Sequence, residues 1–163
     1  VTTLVAAPTI RMRLLNPFDV GDRTAFTTLR ESAGGPAAVP PRWDFLVATL
    51  GAWNDDGGLT GYVQFGTGVG MTFEYGLRLD LRYRGFGLGK RLVAEWLRVA
   101  RAAGALVAMS SALPTNRVMR ALLDSARFEV YDTIATTVGV EDVYLGGDPS
   151  FEWAEAQPRE EWA

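Results

Sequence analysis

The chain has 163 residues, 48% of them hydrophobic and 21% charged, with a formal net charge of −3. That is the size and composition of one globular domain with its own core, and no apolar run approaches the roughly 20 residues needed to span a bilayer. Cysteine and histidine are both absent, which excludes disulfides, thiolate or imidazole metal sites, and Ser-His-Asp or Cys-His catalysis.

Acid–base chemistry must then come from Asp, Glu, Tyr, Lys90, a terminus or water. The acidic balance disfavours nucleic acid as a partner and favours cationic ones. All basic residues except Lys90 are arginine, a bias that reads as compositional rather than as a phosphate signal. The N-terminus is mildly apolar without a basic flank, so no secretion signal is read there and a cytoplasmic protein is expected.

In chain order, Thr9-Ile10-Arg11-Met12-Arg13-Leu14 alternates as a strand. Asn16-Pro17-Phe18-Asp19 then predicts a helix with Asn16 as its cap, running to about Ser32. A second short helix is expected at 42–45. A hairpin follows, with arms at 47–53 and 59–65 around the turn Asn54-Asp55-Asp56-Gly57-Gly58. A long strand is expected over 71–81, with Met71, Phe73, Tyr75, Leu77, Leu79 and Leu81 on one face and Glu74 and Asp80 on the other.

A helix follows from Leu88 to about Ala103. Leu88, Leu92, Val93, Trp96 and Leu97 form its apolar face, and Arg91, Glu95, Arg98 and Arg101 the opposite side. A short strand at 105–110, a helix capped by Thr115 or Asn116, and a hairpin across Gly139 complete the pattern. The expected order is β-α-α-β-β-β-α-β-α-β-β: one α/β (α+β) domain over 1–146, with a mixed six- to seven-stranded sheet and about four helices. The acidic tail 147–163 carries Phe151, Trp153 and Trp162. It reads as a strap on the domain or a frayed end, or else as a segment that meets a partner subunit or covers a cleft.

Between the long strand and its helix lies Arg84-Gly85-Phe86-Gly87-Leu88-Gly89-Lys90. Glycines let a backbone approach a ligand closely, and the following helix start offers unpaired N–H groups and partial positive charge. Together they make a cradle for phosphates. A P-loop would need glycine at 84 and Ser or Thr at 91, and both positions are Arg. The dinucleotide fingerprint needs Gly-x-Gly-x-x-Gly, whereas the spacing here is Gly-x-Gly-x-Gly.

Arg84-x-x-Gly87-x-Gly89 resembles the pyrophosphate signature of the GCN5-related N-acetyltransferases, the GNAT superfamily. The flanks are also similar: the strand residues 77–83, Gly61 after the acidic hairpin turn, the opening strand with Asp19, and Phe128-Glu129-Val130 with Val140-Glu141-Asp142-Val143. The resemblance covers residues 9–146 and implies a GNAT-like fold with acetyl-CoA as donor. It implies that the backbone of Arg84, Gly85, Phe86, Gly87, Leu88, Gly89 and Lys90 holds the pyrophosphate. Leu79, Asp80 and Leu81 would flank the pantetheine arm, admitted between strands that splay apart, and Asn116 would either contact the cofactor or simply cap its helix.

Leu123 stands where the family commonly has a proton-donating Tyr, so Ser110 and Ser111 are the candidates to orient a water instead. Glu74 is the leading candidate base, with Asp80 the alternate and Asp44 more remote. No metal is expected. The acceptor is read as a small-molecule amine, with a protein, aminoacyl-tRNA or nucleobase amine as one alternative and a non-catalytic CoA-binding domain as another. A homodimer is left open.

Overall fold

The computed structural model describes residues 8–32 and 47–162. β1 (Arg11–Leu14) leads to α1 (Val20–Ser32), and the hairpin β2 (Val47–Trp53) and β3 (Leu59–Gly68) continues into β4 (Met71–Leu79). A 3-10 turn at Leu81–Tyr83 connects to α2 (Leu88–Ala102), β5 (Val107–Ala112) and α3 (Arg117–Ser125). The hairpin β6 (Glu129–Thr136) and β7 (Gly139–Gly146) follows, then α4 (Asp148–Ala156) and the two-residue β8 (Glu161–Trp162). The helix expected at 42–45 lies outside the described residues.

The strands form one mixed sheet in the order β6-β7-β5-β4-β3-β2-β1-β8. Seven match the expected sheet, and β8 adds a short eighth beside β1. Neighbours are antiparallel except β4–β5 and β1–β8. Two cores flank the sheet. The larger lies under α2 and α4 and contains Met12, Leu50, Val63, Phe65, Leu92, Trp96, Leu97, Leu123, Phe128 and Phe151. Fully burying side chains of this size contributes about 1.5–3 kcal/mol each. Trp96 sits among Phe65 and Phe128 and donates its Nε1–H to Thr72 Oγ1 at 2.9 Å, which pins α2 to the start of β4. The smaller core, under α1, joins Leu15, Phe26, Leu29, Trp53 and Tyr62.

α1 begins later than its sequence suggests. Asn16 and Pro17 form a turn, and Asp19 takes the capping role, accepting from Asp22 N at 2.8 Å. The reason is Asp22, which accepts from Asn16 N and from both terminal nitrogens of Arg13, each at 2.8 Å. Those bonds tie the turn to β1. Burial opposes the Asp22 charge, but the Arg13 guanidinium holds its carboxyl below the usual range.

Three further expectations change. β4 stops at Leu79, and Leu81 belongs to the 3-10 turn. A bulge shifts the β3–β4 register, so Phe65 faces Glu74 while Gln64 faces Gly76. Tyr75 is the extra residue and is exposed. Alternation therefore restarts, placing Leu77 and Leu79 with Glu74 on the α2 side rather than with Phe73. Finally, Glu95 and Arg98 are buried, because the C-terminal segment covers the outer side of α2.

Candidate functional site

β4 and β5 are parallel neighbours for only three residues, Met71–Phe73 against Val107–Met109. Beyond them β4 keeps its ladder with β3 and β5 keeps its ladder with β7, so the two strands part as a fork. Among the described residues, the fork leaves one edge of β4 without a strand neighbour after Phe73, and an extended ligand can pair along such an edge as an added strand.

At the end of β4 the chain turns through Asp80 into the glycine segment. Asp80 accepts from Arg82 N at 2.9 Å and pairs with the Arg82 guanidinium at 2.8 Å. Those bonds hold its carboxyl below the ordinary range. It caps the 3-10 turn and, past the bulge, does not share Glu74's face as expected. Leu79 ends β4, while Leu81 is exposed on the 3-10 turn.

Gly85 and Gly87 adopt φ of +85° and +75°, values that strain any L side chain. Among the described residues, a Cβ at either would meet nothing within 4 Å, so backbone conformation, not crowding, requires glycine here. Gly87 caps α2 without any side-chain bond, and the helical ladder begins with Arg91 N donating to Gly87 O. The amides of Leu88, Gly89 and Lys90 have no intrahelical acceptor by construction. Arg84 is extended at the entrance to the turn, Phe86 and Lys90 are exposed, and Leu88 is buried as an anchor. Gly61 also matters to this geometry: a Cβ there would meet Leu79 Cδ2 at 2.9 Å and Leu92 Cδ1 at 3.2 Å, so its absence lets β3, β4 and α2 close together.

At the other end of the fork, Ser110 Oγ donates to Glu74 Oε2 at 3.0 Å. Ser110 is buried, whereas Glu74 retains some accessible surface. Burial nonetheless pushes the Glu74 carboxyl up to about 7; the Ser110 bond pulls it down, Glu141 pushes it up and Arg78 pulls it down. A carboxylate that titrates near neutrality is matched to accepting a proton at neutral pH.

Asn116 caps α3, its side chain accepting from Met119 N at 3.2 Å. Leu123 is fully buried in the large core and offers hydrocarbon only. Tyr144, which no motif marks, stands opposite Ser110 in the β5–β7 register and accepts from Arg120 Nε at 3.2 Å. Only the pairing of β5 with β7 brings it there. Among the described residues, no group of three Asp or Glu side chains is placed to hold a metal ion, and no helix is long and apolar enough to cross a membrane.

The model of the acetyltransferase (GNAT) family matches residues 22–127. No curated protein matches the chain. Among solved structures, the ribosomal-protein-S18-alanine N-acetyltransferase from Escherichia coli is 16% identical, with a TM-score of 0.67 over 84% of this chain and 91% of that one. A GNAT superfamily phosphinothricin acetyltransferase from Sinorhizobium meliloti, solved with acetyl-CoA, is 18% identical, with a TM-score of 0.68 over 85% of this chain and 88% of that one. An aminoglycoside acetyltransferase solved with coenzyme A is 15% identical, with a TM-score of 0.68 over 91% of this chain and all of that one. At these identities the likeness is one of fold.

Proposed function

This chain belongs to the acetyltransferase (GNAT) family, and on that premise we propose that it transfers the acetyl group of acetyl-CoA directly to a primary amine of a small acceptor. The observation that carries this reading is the fork. It has a glycine turn with open amides at one end and a carboxylate pushed to about 7 at the other.

The chain fits the cofactor it is proposed to use. Among the described residues, chain neighbours aside, no atom lies within 4 Å of where a Cβ would stand on Gly85 or Gly87, and the Gly87 cap of the helix makes no side-chain bond. The backbone of residues 84–90 would hold the pyrophosphate, with Arg84 and Lys90 adding charge. The β4 edge up to Leu79 would pair with the pantetheine arm, and a β4 amide would polarise the carbonyl. Bound acetyl-CoA supplies an activated thioester carbonyl. Glu74 would take the proton of the acceptor ammonium, directly or through one water. Asp80 is committed to Arg82 and is not assigned the role. Leu123 cannot donate a proton, but a thiol has a pKa of about 8.5 and leaves without a dedicated acid. The absence of cysteine favours transfer within a ternary complex over a covalent acyl-enzyme.

Acetyl-CoA at a hundredfold excess over Kd should stabilise the protein by about 2.7 kcal/mol, read as a higher Tm. Thiol release with a panel of small amines then tests turnover. A raised Tm without turnover on any amine would leave a CoA-binding domain; no rise in Tm would remove the cofactor assignment itself.

A further inference from the structure

The backbone ladder between β4 and β5 ends at Phe73 and Met109. The next residue on each strand is Glu74 and Ser110, and their side chains are bonded at 3.0 Å. A side-chain bond thus takes over at the point where main-chain pairing stops. Ser110 is only 2% exposed, so its hydroxyl is strongly held to a partner. That partner is a single carboxylate oxygen, Oε2, and no bond to Oε1 is seen among the described residues.

The other groups around the carboxylate act through space. Glu141 on β7 and Arg78 on β4 push it in opposite directions, while Tyr62 on β3 is a neutral phenol nearby. Ser110, on β5, is the group that fixes its orientation. Ser111 faces the other way and reaches Glu141 Oε1 at 3.5 Å, so consecutive serines address one glutamate on each side of the sheet.

We infer that Ser110 is a positioning residue for the base: its hydroxyl locks the Glu74 carboxylate at the apex of the fork. The inference rests on the reading of Glu74 as the base. It also revises the expected part for Ser110, because a proton directed at Glu74 is not directed at a water beside the leaving thiol.

The test is a carboxyl carbon NMR titration of protein labelled with ¹³C-glutamate, with Glu74→Gln used to assign the Glu74 signal. Losing a hydrogen bond to the charged form should raise the Glu74 midpoint in Ser110→Ala by about one pH unit. Ser110→Thr, which keeps the hydroxyl, should stay near the parent midpoint. The acid limb of kcat/KM on an accepted amine should move with the NMR midpoint. An unmoved midpoint in Ser110→Ala would overturn the inference, as would an equal movement in Ser110→Thr, which would assign the effect to packing. The acetyl-CoA Tm shift of the parent is scored separately. Its failure with an intact NMR response would sink the proposed function while leaving the Glu74–Ser110 coupling in place.

Discussion

α2 treats polar groups in opposite ways at its start and along its outer side. At the start, Gly87 is the N-cap and makes no side-chain bond, and the amides of Leu88, Gly89 and Lys90 have no intrahelical acceptor. On the outer side, Glu95 and Arg98 are 4% and 8% exposed, and each has two partners, with Arg98 Nε alone left without one among the described residues. They pair with each other, Trp162 Nε1 donates to Glu95 Oε2 at 3.1 Å, and Arg98 donates to the Gln157 carbonyl. Glu160 holds Arg91 through two bonds nearby. A buried charge must be paired to persist, and here α2 supplies one partner to each and the C-terminal segment the other. The first-turn amides beside the fork are instead the groups proposed to receive a diphosphate.

That contrast can be broken at either place. The largest expected effect lies at the fork. Glu74→Gln should lower turnover about 100- to 10,000-fold while leaving acetyl-CoA binding intact. In the parent, turnover should fall as pH drops below about 7, where Glu74 gains its proton, and steady-state profiles on an accepted amine check both points. Equal turnover in the variant would remove Glu74 as base.

On the sealed side, Glu95→Ala leaves the Arg98 charge buried with one carbonyl partner. A loss of about 3–5 kcal/mol is expected in denaturant unfolding, with little change in acetyl-CoA affinity per folded molecule. At the open turn the order reverses. Gly87→Ala should cost about 1–2 kcal/mol of stability, because an L residue must hold φ of +75°. Its clearer mark should be weaker acetyl-CoA binding by calorimetry. Glu160→Gln removes an ion pair whose carboxylate is 5% exposed and should cost about 1–2 kcal/mol, because the amide keeps a neutral bond to the half-buried Arg91.

The smallest signal is a slope. The folded Glu74 titrates near 7, above its ordinary 4.5, so between those values the folded state binds more protons than the unfolded one. Its contribution to stability is present below the ordinary value and is lost as pH rises through about 7. Glu74→Gln should flatten that decline in Tm against pH.

Residue by residue, the sequence was uneven in what it disclosed. The glycine turn was legible because it is local: three glycines spaced by single residues before a helix start mark a turn, although only the backbone shows that Gly85 and Gly87, and not Gly89, carry positive φ. Glu74 was visible as a candidate from its place on the strand. Its bond to Ser110 was not, since that serine arrives from a strand 36 residues away. Asp80 was misplaced because strict alternation ignores the bulge at Tyr75. Glu95 and Arg98 looked like a solvent face because nothing in α2 itself foretells that residues 157–162 will lie over it.

Residue types and spacing alone gave the order of the described elements from β1 to β7, the exclusion of histidine and cysteine chemistry, and a turn suited to a diphosphate, but not α4 or β8 in the segment read as a tail. These follow from residue type and short-range backbone sterics. Tertiary structure decided where β4 and β5 part, which oxygen of Glu74 is held, how far burial raises its affinity for a proton, and that the C-terminal segment seals α2. Each of these depends on solvent exclusion and strand register between residues far apart in the chain, which local sequence pattern does not encode.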